Sequence, residues 1–312
     1  MSGYKHIALI GLGLIASSIA HAARRTEKPP RITGTARSAE TREIAREINL
    51  CEVKETAAEA VADADLVILC VPPGAMGAVA RDIAPHLAKG AVVTDVGSLK
   101  SAIIEAVAPH IPAHAHFIPA HPLAGTEQSG PRAGFAELFD DRWCLLTPLA
   151  DTPQAEVDRL AAFWRDLGSN VECMEPDHHD LVLAVTSHAP HLIAYTMVGV
   201  ADDMSRVTSS EVVKYSAAGF RDFTRIAASD PTMWRDVFLH NREATLEILG
   251  RFTEELFALQ RAIRTGDGDM LFDYFTRTRA IRRGILDAGQ DIAVPNFGRT
   301  PIPGEPPKEP KP

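Results

Sequence analysis

Six residues near the start of the chain, Gly11-Leu12-Gly13-Leu14-Ile15-Ala16, restrict its fold more than any other stretch. They follow a short β-rich apolar run, residues 6–10, and lead into the helical pattern SSIAHAARR. Strand, tight glycine turn and helix in that order are the context in which G-x-G-x-x-G/A marks a dinucleotide site. Gly11 permits the turn, Gly13 lets the backbone approach a pyrophosphate, and Ala16 is small enough for close packing of helix on strand. The amides at the helix start attract phosphate, so Gly11, Leu12, Gly13, Leu14 and Ile15 are expected to bind the cofactor. The fold class that follows is α/β, with an N-terminal Rossmann-type parallel sheet.

The next strands refine the choice of nucleotide. Residues 31–37, RITGTAR, should end on the acid that bonds the adenosine ribose if the cofactor is NAD, yet Ala36 stands there. Arg37 and Ser38 follow, with Thr41 and Arg42 close behind, and an arginine among hydroxyls can accommodate a 2′-phosphate. NAD or NADP is therefore expected. Ser38 also fits as the N-cap of a helix over 38–48, and the two roles are compatible. Residues 64–71 are apolar enough for a strand buried on both faces, and the pair Pro72-Pro73 ends it on the cofactor side, which adds Val71 and Pro72 to the site. A second such strand, 91–96, runs into Gly97-Ser98-Leu99-Lys100. Gly97 is placed beside the cofactor, while Ser98 either orients a substrate or caps the helix 101–108.

The run Phe117-Ile118-Pro119-Ala120 reads as a strand that delivers His121 at its end, where Pro122 and Gly125 force a loop. An imidazole at a strand terminus lies where α/β sheets do chemistry, although it also serves as a simple strand cap. Segments 143–148 and 170–174 read as further strands around a helix at 153–168, and the strand signals stop near Glu175. The expected division is a dinucleotide-binding domain over 1–175, an all-α domain over 176–293, and a proline-rich tail over 294–312 that cannot build a core.

Within the helical half, residues 181–201 are long and apolar, but two histidines, a proline and several hydroxyls argue for a helix buried in protein, against a second subunit, rather than in a membrane. His188 and His191 flank Pro190 there. The nearby Asp177-His178-His179-Asp180 resembles a helix's first turn more than a metal ligand set of settled spacing, so no metal is expected. Arg221 and Arg225 are four apart and can jointly receive carboxylates, or form surface ion pairs with Asp222 or Asp236. With 41 acidic against 32 basic residues, the chain lacks the basic face a nucleic-acid partner requires. Its four cysteines form no C-x-x-C pair, and the first apolar strand starts too early for a signal peptide, which points to the cytoplasm.

Six stretches in order, GLGLIA, DVGSLK, HPLAGTE, SHAPH, GFRDFTRIA and DPTMWRD, resemble the prephenate/arogenate (cyclohexadienyl) dehydrogenases of tyrosine biosynthesis over residues 6 to about 290. The resemblance implies a helical dimerisation domain, a homodimer, and an active site in the cleft between domains. It implies that His121 is the catalytic histidine bonded to the substrate's ring hydroxyl and that Ser98 orients that substrate. It further implies that Arg225 holds a substrate carboxylate, with His188, His191, Trp234, Gly125, Thr126, Glu127 and Arg221 around the pocket. Glu127 is expected to favour arogenate through charge pairing with its ammonium, or else to act as a cap or rim salt bridge. Ala16 and Ala36 depart from the usual pattern, and no stretch is left over for a regulatory domain or a fused chorismate mutase, so any control by tyrosine would act at the active site itself.

The chemistry implied is oxidative decarboxylation, in which a histidine with an ordinary pKa of about 6.5 is suited to accept a proton. Two other readings share parts of the pattern: a β-hydroxyacid or imine reductase, for which no lysine or aspartate donor stands out on the helical half, and a dinucleotide-sensing regulator without turnover.

Overall fold

The computed structural model describes residues 3–126, 128–205 and 215–287. Its main sheet contains β1 (His6–Ile10), β2 (Arg31–Thr35), β3 (Glu52–Val53), β4 (Leu66–Leu69), β5 (Val92–Asp95) and β6 (His116–Phe117), all parallel. The order is β3-β2-β1-β4-β5-β6, which reverses between β1 and β4 and opens a crevice at their carboxyl ends. Both of these strands are buried along their whole length, as expected of strands covered on both faces. Alternation sends Ile7, Leu9, Leu66 and Ile68 into one apolar cluster and Ala8, Ile10, Val67 and Leu69 into the other. The crossovers are α1 (Leu14–Ala23), α2 (Ala39–Glu47), α3 (Ala57–Val61), α4 (Pro73–Ile83) and α5 (Ser101–Val107).

A second sheet, not anticipated from the sequence, joins β7 (Ala120–Pro122), β8 (Trp143–Leu146) and β9 (Asn170–Cys173). The β7–β8 pair is antiparallel and β8–β9 parallel. The strand expected over 117–120 is therefore split. The amides of His116 and Ile118 donate to β5, but the next one in that register, Ala120, goes to the Asp95 side chain, and the chain leaves the first sheet and begins the second at Ala120. His121 consequently lies within β7, opposite Leu145, and not beyond a strand's end. Behind this sheet, α6 (Gln154–Asp166) buries Trp164 edge-on to Phe139 and Phe163.

Beyond β9 the chain is helical: α7 (Pro176–Leu183), α8 (Ala189–Ser205), α9 (Ala218–Thr224), α10 (Pro231–His240), α11 (Arg242–Thr265) and α12 (Gly268–Asp287). Residues 1–248 form one compact unit, and residues 249–312 a second whose described part is the remainder of α11 together with α12. Between α7 and α8, residues 184–188 make a π-helical turn. Pro190 cannot donate to the carbonyl four residues back, and the ladder widens so that the Ala189 amide reaches the Ala184 carbonyl. The continuous helical stretch 176–204 is long and apolar enough to cross a membrane by length and composition. The expected burial holds only in part: Leu183, Ala184, His188 and Ala194 are enclosed, but Leu181, Val185, Met197, Val198, Val200 and Met204 are exposed in the single chain. The proline-rich tail lies outside the described residues.

Candidate active site

The glycine loop sits at the crevice between β1 and β4. Gly11 has φ +98°, and a β-carbon there would lie 2.5 Å from the Cys70 carbonyl oxygen, so only glycine passes. Gly13 caps α1 and its β-carbon position is open, which leaves backbone accessible where a pyrophosphate would approach. Ala16 and Leu12 are buried, and Leu14 and Ile15 pack against the core. The loop thus fits a dinucleotide. Val71 and Pro72 follow β4, with Pro72 as the cap of α4 and Pro73 at its first position. At the end of β2, the carbonyls of Ala36 and Arg37 accept bonds from Arg42, which also pairs with Glu55, while the Arg37 side chain is exposed. Ser38 caps α2 by accepting from the Thr41 amide, as expected.

His121 is fixed from two sides. Asp95, at the end of β5, and Lys100 form a buried ion pair, and the Lys100 ammonium also donates to the Ala120 carbonyl at 2.7 Å. On the other side, the His121 Nδ1 lies 2.9 Å from the His179 Nε2, and the His179 Nδ1 lies 2.9 Å from the Asp180 Oδ1. Asp180 in turn accepts the backbone amides of Lys100 and Ser101 at 2.8 and 2.9 Å. Those amides are orphans at the start of α5, whose own cap residue, Lys100, offers no side-chain acceptor. An acid on α7 therefore caps α5, and the docking carries His179 to His121. The Ser101 hydroxyl adds a bond to Asp177. Helix α5 is thus not capped by Ser98, the alternative expected from the sequence; Ser98 is half-buried before it.

Burial pushes the His121 pKa well below 6.5, and the proximity of His179, Lys100 and His188 pushes the same way. Burial also lowers His179, with the Asp180 bond opposing it. For Asp180 burial acts upward, but the bonds from His179 and the two amides outweigh it and hold the carboxyl below its usual value. The site at rest is a neutral imidazole backed by a carboxylate.

A second group of rings borders the first. His188 is wholly buried, and the Asn241 amide donates both to its Nδ1 and to the Asp180 carbonyl. Its Nε2 consequently carries the hydrogen and faces the Ser98 backbone, whereas the buried Trp234 Nε1 has no bond to the described residues. Trp234 lies one turn into α10, which Asp230 caps through the Met233 amide. Its ring stacks on His191 at 3.7 Å and meets His188 edge-on at 6.1 Å. His191 is held by the Ser187 carbonyl, and its pKa is lowered by burial first and then by Arg225. Arg225 is exposed and begins a 3₁₀ turn that Tyr195 ties to α8 through the Ser229 carbonyl.

The structure so connects His121, His188, Trp234, His191 and Arg225 through successive neighbours. It does not extend that chain to Gly125 and Thr126, which are exposed, Thr126 closing a turn with the Gln128 amide. Arg221 is exposed on α9, and Asp236, one of the acids expected to pair with it, bonds Arg235 at 2.7 Å. Gly97 follows β5, where a β-carbon would strike Ile103. Glu127 lies outside the described residues. Sequence reasoning passed over Asp95, Lys100, His179, Asp180 and Asn241 as parts of the site. The adjacent pair His179-Asp180 was the available signal, since a histidine beside an acid can orient another ring as readily as hold a metal.

Residues 19–173 match the family model for the prephenate dehydrogenase nucleotide-binding domain, and residues 175–277 that for the prephenate dehydrogenase dimerization domain. The chain belongs to the prephenate dehydrogenase family. Among its relatives, the cyclohexadienyl dehydrogenase of Zymomonas mobilis is 43% identical over 90% of this chain and 96% of its own. The structure of the A. aeolicus prephenate dehydrogenase in complex with hydroxyphenyl propionate and NAD+ superposes with a TM-score of 0.84 at 30% identity, over 90% of this chain and 98% of that one. The Synechocystis arogenate dehydrogenase gives a TM-score of 0.75 at 26% identity, over 89% and 99%. Membership in the prephenate dehydrogenase family favours the decarboxylating dehydrogenase over the reductase and regulator alternatives.

Proposed function

We propose that the chain is an NAD(P)-dependent dehydrogenase of tyrosine biosynthesis that converts prephenate, arogenate or both to 4-hydroxyphenylpyruvate or tyrosine. The observation that carries the reading is the buried, neutral His121 imidazole, bonded through His179 to Asp180. Bound NAD(P), for which the open position at Gly13 leaves room, supplies the hydride acceptor, and loss of the ring carboxylate as carbon dioxide makes the ring aromatic. His121 takes the proton of the ring hydroxyl, and Ser98 orients that hydroxyl. Trp234 presents a buried N–H group, which is costly unless a substrate or solvent oxygen accepts from it. Arg225, next to His191, supplies permanent charge for a carboxylate.

The active form is a homodimer through the helical half, acting in the cytoplasm. Support comes from the exposed Met197, Val198 and Val200 on α8 and from Phe252, Leu256 and Phe257 on α11, apolar surface that a monomer leaves in water. Incubation with prephenate or arogenate and either nucleotide should produce reduced nicotinamide and carbon dioxide together. His121→Asn should keep nucleotide affinity and lower kcat by roughly 10²–10⁴-fold, the range for loss of a positioned base. A parent protein that oxidises neither substrate would refute the reading, and an unimpaired His121→Asn would remove His121 from it.

A further inference from the structure

Asp180 is the fixed end of the chain of hydrogen bonds behind His121. Its carboxylate accepts two backbone amides, and its pKa lies below the ordinary carboxylate value, so it has no proton to give. The His179 Nδ1, 2.9 Å from the Asp180 Oδ1, must therefore carry hydrogen. A neutral imidazole holds only one such proton, which leaves the His179 Nε2 as a lone pair. That lone pair lies 2.9 Å from the His121 Nδ1, and two lone pairs do not face one another at hydrogen-bond distance. The hydrogen between them belongs to the His121 Nδ1. The His121 Nε2 is then left bare.

We infer that His179 is a positioning residue that sets the tautomer of His121, so that the nitrogen available as base is Nε2 and never Nδ1. The inference rests on the dehydrogenase reading for what the lone pair does; the tautomer itself is a property of the free protein. The surroundings agree. His121 faces His179 from α7, Lys100 from the start of α5 and His188 from the π turn, and each of these opposes a second proton on it. His179 faces Asp180, Lys100 and Asp95, and Asp180 is the acid that bonds it. During turnover the His121 Nε2 takes the hydroxyl proton, and the resulting imidazolium still donates Nδ1–H to His179. Asp180 stays ionised throughout, fixing orientation and tautomer as an aspartate does behind the histidine of a serine-protease triad.

The test separates the tautomer from the turnover. Nitrogen-15 NMR of the free protein at mildly alkaline pH should show the His121 Nδ1 protonated and its Nε2 of the bare, pyridine type. His179→Leu should mix the two tautomers. It should also lower kcat about 10- to 100-fold while KM for both substrates changes less than about twofold. His179→Gln, whose amide can accept from His121 and donate to Asp180 without titrating, should recover kcat to within about fivefold of the parent. A bare Nδ1 in the parent protein would overturn the inference. So would a folded His179→Leu variant with undiminished kcat, or a His179→Gln variant no better than leucine. Failure of the dehydrogenase reading would instead appear as absent turnover in the parent, with the NMR result standing apart from it.

Discussion

The ammonium of Lys100 lies 2.5 Å from the carboxylate of Asp95, and neither side chain is exposed at all. Both ends of the pair grip the residue before His121: Lys100 donates to the Ala120 carbonyl, and the other oxygen of Asp95 accepts the Ala120 amide at 3.2 Å. Asp95 also takes the Gly97 amide at 2.8 Å, so one acid ties the end of β5, the loop carrying Ser98 and the start of β7. Burial pushes the Asp95 pKa up and the Lys100 pKa down, and their pairing works against both shifts.

Removing one partner should expose the cost of the other. Lys100→Met leaves a buried carboxylate without its cation and is expected to destabilise the fold by about 3–5 kcal/mol. Adding Asp95→Asn should recover part of that, because the amide is uncharged and can still accept a backbone N–H. Urea unfolding of the parent, both single variants and the double variant completes the cycle. A loss below about 1 kcal/mol in Lys100→Met would mean that the pair contributes no more than an exposed salt bridge.

The buried imidazoles predict an acid-sensitive fold. His121, His179 and His188 all have pKas below 6.5, with burial the first cause in each, and that of His188 falls to about 4. With folded values below the unfolded one, the unfolded chain binds more protons as pH drops beneath 6.5, and stability falls with pH. For His188 the loss accumulates between 6.5 and about 4. Each imidazole adds a slope of about 1.4 kcal/mol per pH unit inside its own window. The urea midpoint should thus be level at neutral pH and drop steeply in mild acid. The acid limb of kcat/KM should also lie below 6.5, since His121 stays unprotonated there. A midpoint unchanged down to about pH 5 would contradict the prediction.

Features set by local chemistry were legible in the sequence. Gly11 must be glycine because of its φ and the Cys70 carbonyl, and that requirement is written in the motif itself. The buried strands β4 and β5 declare themselves by apolar runs, and Ser38 by its place before a helix. What escaped notice depends on partners far apart in the chain. Asp180 caps a helix 79 residues away from its own position, and Lys100 finds Ala120 only because β7 leaves the first sheet. Neither pairing has a periodicity or a spacing. The change of sheet between β6 and β7 has no such mark either, since a strand that continues and a strand that crosses into another sheet read alike until β8 is in place.

Cofactor choice is the remaining expectation with a structural handle. β2 ends at Thr35, and the following residue, Ala36, has no acid to accept a ribose hydroxyl or to repel a phosphate. Arg42 holds the shape of this loop through the Ala36 and Arg37 carbonyls, and its charge is paired with Glu55. The Arg37 guanidinium is exposed and has no ion pair with the described residues, so it is the cation open to a 2′-phosphate. NADP should therefore support turnover beside NAD. Arg37→Ala should raise KM for NADP roughly tenfold, through loss of charge-assisted hydrogen bonds, and shift KM for NAD by less than about twofold. Arg42→Ala, which frees the loop itself, should weaken both nucleotides. Initial rates with each nucleotide at saturating substrate distinguish the two effects. If the parent strongly prefers NAD and Arg37→Ala leaves that preference as it was, this loop does not select the nucleotide, and the missing acid at Ala36 is replaced by some other contact to the ribose.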